Sequence, residues 1–134
     1  METLPEKSPR NPDDPVCKVL LVDDEPMLLE CTAEILAVMG FTVITARDGQ
    51  EALEEFRIHH GDLALVIMDI NMPRMDGIEA SKKIREIDPS AKVILSSGYT
   101  KEAPGNAVAN AFLAKPYRGI DLWQVIRRVL QPSS

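Results

Sequence analysis

LALVIMDINMPRMDG, residues 63–77, decides the fold. LALVIM is apolar throughout and stops at Asp69. A strand that is apolar on both faces must be covered on both, as a parallel strand between helix layers is. The loop NMPRMDG then turns the chain. Ile78, Ile84 and Ile87 follow on a helical pattern until Asp88-Pro89 stops it. Asp76-Gly77 reads as the turn and cap that open this helix. Strand, loop and helix form one unit of an alternating pattern.

The unit repeats in both directions. Upstream, CKVLLVDD (residues 17–24) is a short apolar strand stopped by acids. Leu28, Leu29, Thr32, Ile35, Leu36 and Met39 then recur at helical spacing, and Gly40 ends that helix. FTVITA (41–46) is a second strand, and Ala52, Leu53 and Phe56 mark a helix behind Asp48, a suitable N-cap. Downstream, KVILSS (92–97) is a fourth strand and FLA (112–114) a short fifth. Leu122, Val125, Ile126, Val129 and Leu130 mark the last helix. Strands alternating with helices predict a doubly wound α/β sandwich.

Composition agrees and narrows the function. The 134 residues fit one domain, and 45% hydrophobic content is too high for a disordered chain. Fifteen Lys+Arg against 21 Asp+Glu give a net charge of −6, which argues against direct nucleic-acid binding through a basic field. Cys17 and Cys31 form no CxxC pattern, so a reducing, cytoplasmic setting is expected. No apolar run approaches the ~20 residues of a membrane span, and no signal peptide opens the chain. Residues 1–15 carry Pro5, Pro9, Pro12 and Pro15 and read as a flexible tail or linker, with the folded domain over 16–134.

In such sheets ligands bind at the carboxyl ends of the strands. The first strand ends in Asp23, Asp24 and Glu25, and the third in Asp69, followed by Asn71. The fourth ends in Ser97 and Gly98, the fifth in Lys115-Pro116. Aspartates gathered on one rim repel each other and resist ionisation unless a cation neutralises them. Carboxylate oxygens suit a hard divalent ion such as Mg²⁺. With Lys115 as a second positive charge and Ser97 as a hydroxyl, the set fits phosphoryl transfer to a carboxylate. Gly98 beside the hydroxyl would leave room for the phosphoryl group.

The segments VLLVDDE (19–25), MDINMPRMDG (68–77), ILSSG (94–98) and FLAKP (112–116) together resemble the receiver domain of two-component response regulators. The resemblance implies a flavodoxin-like sheet of order 2-1-3-4-5. It implies that Asp69 is the phosphoacceptor. Asp24, Asp69 and the Asn71 carbonyl would ligate Mg²⁺ or Mn²⁺ directly, and Asp23 largely through water. Ser97 corresponds to the hydroxyl that turns toward the phosphoryl group, Lys115 to the lysine that pairs with it, and Phe112 to the switch aromatic. The bond before Pro116 would be cis. Glu25, Gly98, Tyr99 and Pro116 would form the rim. The implied partner is a sensor histidine kinase or phosphotransfer domain, with an unnamed protein target downstream and no membrane contact by this chain. The resemblance also implies a phosphoacceptor switch with no activity beyond its own phosphorylation and dephosphorylation. The SSGY and FLAKPY stretches are similar to receivers at the C-terminus of hybrid sensor histidine kinases. Only 12 residues, TKEAPGNAVANA, separate Tyr99 from Phe112, so the helix between the fourth and fifth strands is expected to be short or irregular.

Two other functions fit the same fold. An aspartyl-nucleophile phosphohydrolase resembling the haloacid dehalogenases would need Asp-x-Asp after the first strand, whereas Asp69-Ile70-Asn71 follows the third. A flavin- or nucleotide-binding module would need a Gly-rich loop where Asp23-Asp24 stands. Plain structural readings apply elsewhere. Asp24 alone could cap the first helix. Ser96 should face the packing rather than the site. His59-His60 and Lys82-Lys83 read as solvated helix surface, Cys31 as core and Trp123 as packing.

Overall fold

The computed structural model of the chain describes residues 17–72, 75–98 and 109–130. Among them the elements run β1 (Lys18–Val22), α1 (Pro26–Val38), β2 (Thr42–Ala46), α2 (Gly49–His59) and β3 (Leu63–Asp69). They continue with α3 (Gly77–Ile87), β4 (Val93–Ser97), β5 (Ala111–Ala114) and α4 (Gly119–Leu130). The strands form one parallel sheet in the order β2-β1-β3-β4-β5, the order expected from the sequence. The tail, the expected irregular helix between β4 and β5, and Tyr99 lie outside the described residues.

Strand alternation splits the core in two. Val19, Leu21, Leu65, Ile67, Ile94 and Leu113 face α1 and α4, where Leu36, Leu122 and Ile126 meet them. Leu20, Val22, Val66, Met68, Val93 and Leu95 face the other way, toward Leu53 and Phe56 of α2 and Ile84 of α3. Successive side chains of a strand point to opposite faces, so continuous apolar runs are what a sheet covered on both sides requires. Each fully buried aliphatic side chain contributes about 1.5–3 kcal/mol. Trp123 packs into the first of these layers, as expected.

One face was misjudged in sequence. Cys31 is exposed, not core. The buried face of α1 is Leu29, Thr32 and Leu36. These recur at helical spacing, and Cys31 falls on the opposite side of the turn from Leu29.

The helix ends follow local chemistry. Gly40 closes α1 with φ 102°, a left-handed conformation that glycine adopts without steric cost. Asp48 caps α2, its carboxylate accepting the Glu51 N–H at 2.8 Å. Asp76 caps α3 in the same way through Glu79 N–H at 2.9 Å. Asp48→Ala should therefore cost about 1 kcal/mol, readable as a lower urea midpoint at unchanged slope. Asp24 caps nothing: Glu25 holds the N-cap position of α1 without a side-chain bond, and Asp23 takes the Glu25 N–H at 3.0 Å instead.

At the opposite end of the sheet, Asn110 pins the start of β5. Its side-chain oxygen accepts from Val93 N at 2.9 Å and from the Arg85 guanidinium at 2.5 Å, and its own N–H donates to Val93 O at 2.8 Å. His59 lies 3.7 Å from Glu55, and His60 3.3 Å from Asp88. These contacts tie the end of α2 to its surroundings.

Candidate functional site

Register brings the site together. Val22 pairs with Met68, so Asp23 and Asp69 emerge side by side from β1 and β3. Asp69 pairs with Ser96, and Ser97 with Ala114, the residue before Lys115. β1 and β3 also flank the point where the winding of the sheet reverses, the usual ligand position in this architecture. The resulting cleft of about 580 Å³ is lined by Asp23, Asp24, Glu25, Asp69, Asn71 and Lys115 among others.

Asp23 and Asp69 are each 4% exposed, while Asp24 is open to solvent. One carboxylate oxygen from each of the three lies within 4.8 Å of the others. Lys115 Nζ donates to Asp23 Oδ2 at 2.8 Å and sits 3.5 Å from Asp69 Oδ1. Asn71 N–H donates to Asp69 Oδ1 at 3.3 Å.

These contacts set the electrostatics. Burial pushes the Asp69 carboxyl up to about 6, helped by the negative charge of Asp23. The Lys115 charge and the Asn71 N–H oppose it without prevailing. Burial works against the Lys115 ammonium, but its bond to Asp23 and the charges of Asp23 and Asp69 outweigh this and hold its pKa above the ordinary lysine value. Three carboxylates and one ammonium leave a local charge of −2. Oxygen donors with that residual charge fit one divalent hard cation, with room in the cleft for its waters.

The other expected site residues take distinct places. Ser97 is buried, and its hydroxyl receives the Asn71 Nδ2 hydrogen at 2.8 Å. Ser96 is buried one step away in the ladder opposite Asp69. Gly98 lines the cleft, yet a Cβ there would meet Lys115 Cβ at an ordinary 3.6 Å, so the position tolerates more than glycine. Phe112 is half-buried against the α2–α3 side of the core. Pro116 is exposed and follows a cis bond to Lys115, as expected. Glu25 is exposed on the rim.

Two features escaped the sequence. The first is the Lys115–Asp23 ion pair, which neutralises one carboxylate from within the chain. The second is Tyr117, whose hydroxyl lies 3.5 Å from Thr32 Oγ1 and links the Lys115 loop to α1. Burial raises the Tyr117 phenol pKa. The signal for it was an aromatic directly after Lys-Pro, paired with a buried Thr on the apolar face of α1.

Comparison with known proteins agrees with this geometry. Residues 19–127 match the family described as the response regulator receiver domain. The chemotaxis protein CheY of Bacillus subtilis is 35% identical over 118 residues, covering 84% of this chain and 97% of that protein. The sensor kinase CckA of Brucella abortus is 35% identical over 117 residues, 84% of this chain but 12% of that kinase. The CheY subunit of the CheX–CheY–BeF3–Mg²⁺ complex from Borrelia burgdorferi superimposes with a TM-score of 0.81 at 33% identity, covering 86% of this chain and 90% of that one. With the family match over residues 19–127, relatives at this identity and the sheet order β2-β1-β3-β4-β5, the chain belongs to the response regulator receiver domain family.

Proposed function

We propose that the chain accepts a phosphoryl group on Asp69 from the phosphohistidine of a sensor histidine kinase or phosphotransfer domain, and that the phosphorylated form presents a changed output face to a protein target. The observation that carries this reading is the convergence of Asp23, Asp24 and Asp69 within 4.8 Å beside the Lys115 ammonium. In the transfer, an Asp69 oxygen bonds to phosphorus as the donor's N–P bond breaks. The electron pair returns to the donor imidazole, which takes a proton from solvent. Such a loose transfer asks the protein mainly for positioning and charge neutralisation.

Asp24, Asp69 and the Asn71 carbonyl would hold Mg²⁺, or Mn²⁺ in its place, with Asp23 contributing mostly through water. When bound, the ion supplies positive charge to the phosphoryl oxygens and to the crowded carboxylates. Lys115 can exchange part of its contact with Asp23 and Asp69 for a phosphoryl oxygen without a large movement, since it already bridges the two. Ser97 donates its hydroxyl to another phosphoryl oxygen, and Phe112 follows Ser97 inward. The half-buried setting of Phe112 supports this, because a side chain in that state has both a packed and an exposed alternative. The changed surface then lies on β5 and α4. Chemistry is confined to gain and loss of the chain's own phosphoryl group, and residues 1–15 serve as a tail or linker. A cytoplasmic site of action fits a kinase partner. No helix among the described residues is long and apolar enough to cross a membrane. The phosphohydrolase and nucleotide-binding readings draw no support from the family match.

Beryllofluoride with Mg²⁺ tests this reading. A stoichiometric adduct should raise the melting temperature, because a ligand bound only by the folded state stabilises it. A chelator should remove both the adduct and the increment. Absence of any adduct on the native chain, or multiple turnovers of a phosphate ester, would defeat it.

A further inference from the structure

We propose that the Asn71 side chain is a resting-state latch on the Ser97 hydroxyl and so sets how readily the switch is thrown. This rests on Asp69 as phosphoacceptor and Ser97 as the hydroxyl that follows the phosphoryl group. It gives regulation of that site to the Asn71 side chain, in addition to the contacts of its backbone.

The geometry is specific. Asn71 Nδ2 and Ser97 Oγ are 2.8 Å apart, a full-strength hydrogen bond between the loop after β3 and the last residue of β4. Ser97 is 1% exposed, so water competes poorly for its hydroxyl. Asn71 is exposed, so its amide can be released to solvent at little cost. The Asn71 N–H meanwhile contacts Asp69 Oδ1 at 3.3 Å, and the Ser97 carbonyl accepts from Lys115 N at 3.0 Å. One residue thus touches the phosphoacceptor with its backbone and the responding hydroxyl with its side chain.

A hydroxyl has one proton and two lone pairs, and in the resting rotamer of Ser97 the amide N–H takes up one of those lone pairs. A carboxamide can present either its NH₂ or its oxygen, so a half-turn of the amide leaves the latch closed. For Ser97 to reach a phosphoryl oxygen on Asp69, this contact must open. Its net worth is therefore subtracted from the drive toward the switched state. The Asn71 side chain acts as a positioning group through Ser97.

The test is beryllofluoride affinity at saturating Mg²⁺, by calorimetry, for the native chain, Asn71→Ala, Ser97→Ala and the double variant. Asn71→Ala keeps the backbone carbonyl, and a titration with Mg²⁺ alone reports on the ion separately. Asn71→Ala should bind beryllofluoride about 2- to 10-fold more tightly, the range expected from losing one neutral hydrogen bond in the resting state only. In the Ser97→Ala background the same substitution should change nothing. Unchanged or weaker binding by Asn71→Ala overturns the latch, and so does an equal gain in both backgrounds. A native chain that binds no beryllofluoride defeats the receiver reading itself, whereas a native chain that binds while Asn71→Ala behaves identically defeats the latch alone.

Discussion

Asp69→Asn should take up no phosphoryl group from a phosphorylated histidine donor, and without divalent cation it should be more stable than the native chain at neutral pH. The first half follows because a carboxamide oxygen is no nucleophile for phosphorus and forms no acyl phosphate. The second follows from burial. The Asp69 carboxyl has an ordinary value of 3.8 and stands at about 6 in the folded chain. The folded state thus binds the proton more tightly than the unfolded one. Between about pH 4 and pH 6 native stability falls as pH rises, since protons are lost from the fold later than from the unfolded chain. Below about pH 4 both states are protonated and the contribution vanishes; above about pH 6 it is complete. Asparagine removes it. Chelator-treated Asp69→Asn should exceed the native chain by about 1–3 kcal/mol at pH 7 and by almost nothing at pH 4. Urea titrations at the two pH values measure this, and a gain of equal size at both would show that ionisation is not the cause.

Gly77→Ala should be among the most damaging single substitutions. Gly77 opens α3, and its N–H donates to Ile70 O at 2.9 Å. A Cβ there would overlap the Asp69 carbonyl oxygen and fall 2.9 Å from both the Asp69 carbonyl carbon and Ile70 Cα. Backbone cannot yield as a flexible side chain does. The helix must move off the end of β3, or Asp69 must move with it. We expect a loss of about 3 kcal/mol or more, at the upper end for overpacking. Beryllofluoride affinity should fall too, because the displaced backbone is the one that carries the phosphoacceptor. A chain that keeps both native stability and native affinity would show that α3 has slack here.

Much of this arrangement was legible in the sequence because it depends on local rules. The β3 run, residues 63–69, read as a strand because six apolar residues in succession end in an acid. Asp48 and Asp76 read as caps because an aspartate before a helical pattern accepts the first free N–H groups. Strand order came from the four motifs together, since alternation alone permits several windings. What stayed hidden needed distances. Lys115 and Asp23 stand 92 positions apart, and their 2.8 Å contact depends on which strands are neighbours. The Asn71–Ser97 bond depends on the rotamer of each. Cys31 was misplaced because apolar positions on α1 define a stripe too broad for its edge to be drawn by periodicity. Gly77 was recognised as a turn and cap, but only the packed structure reveals the backbone pressed against it.

The division of the core into two layers makes β1 a pair of listening posts, one on each face. Leu20 and Leu21 are adjacent in sequence, yet one belongs to the layer under α2 and α3 and the other to the layer under α1 and α4. Methyl-labelled leucines at these positions would sense opposite sides of the molecule through a shared backbone. A perturbation begun at Asp69 and passed toward β5 and α4 would alter the Leu21 signal, while one absorbed by α3 would alter Leu20. Which signal moves would report the direction in which the sheet transmits it.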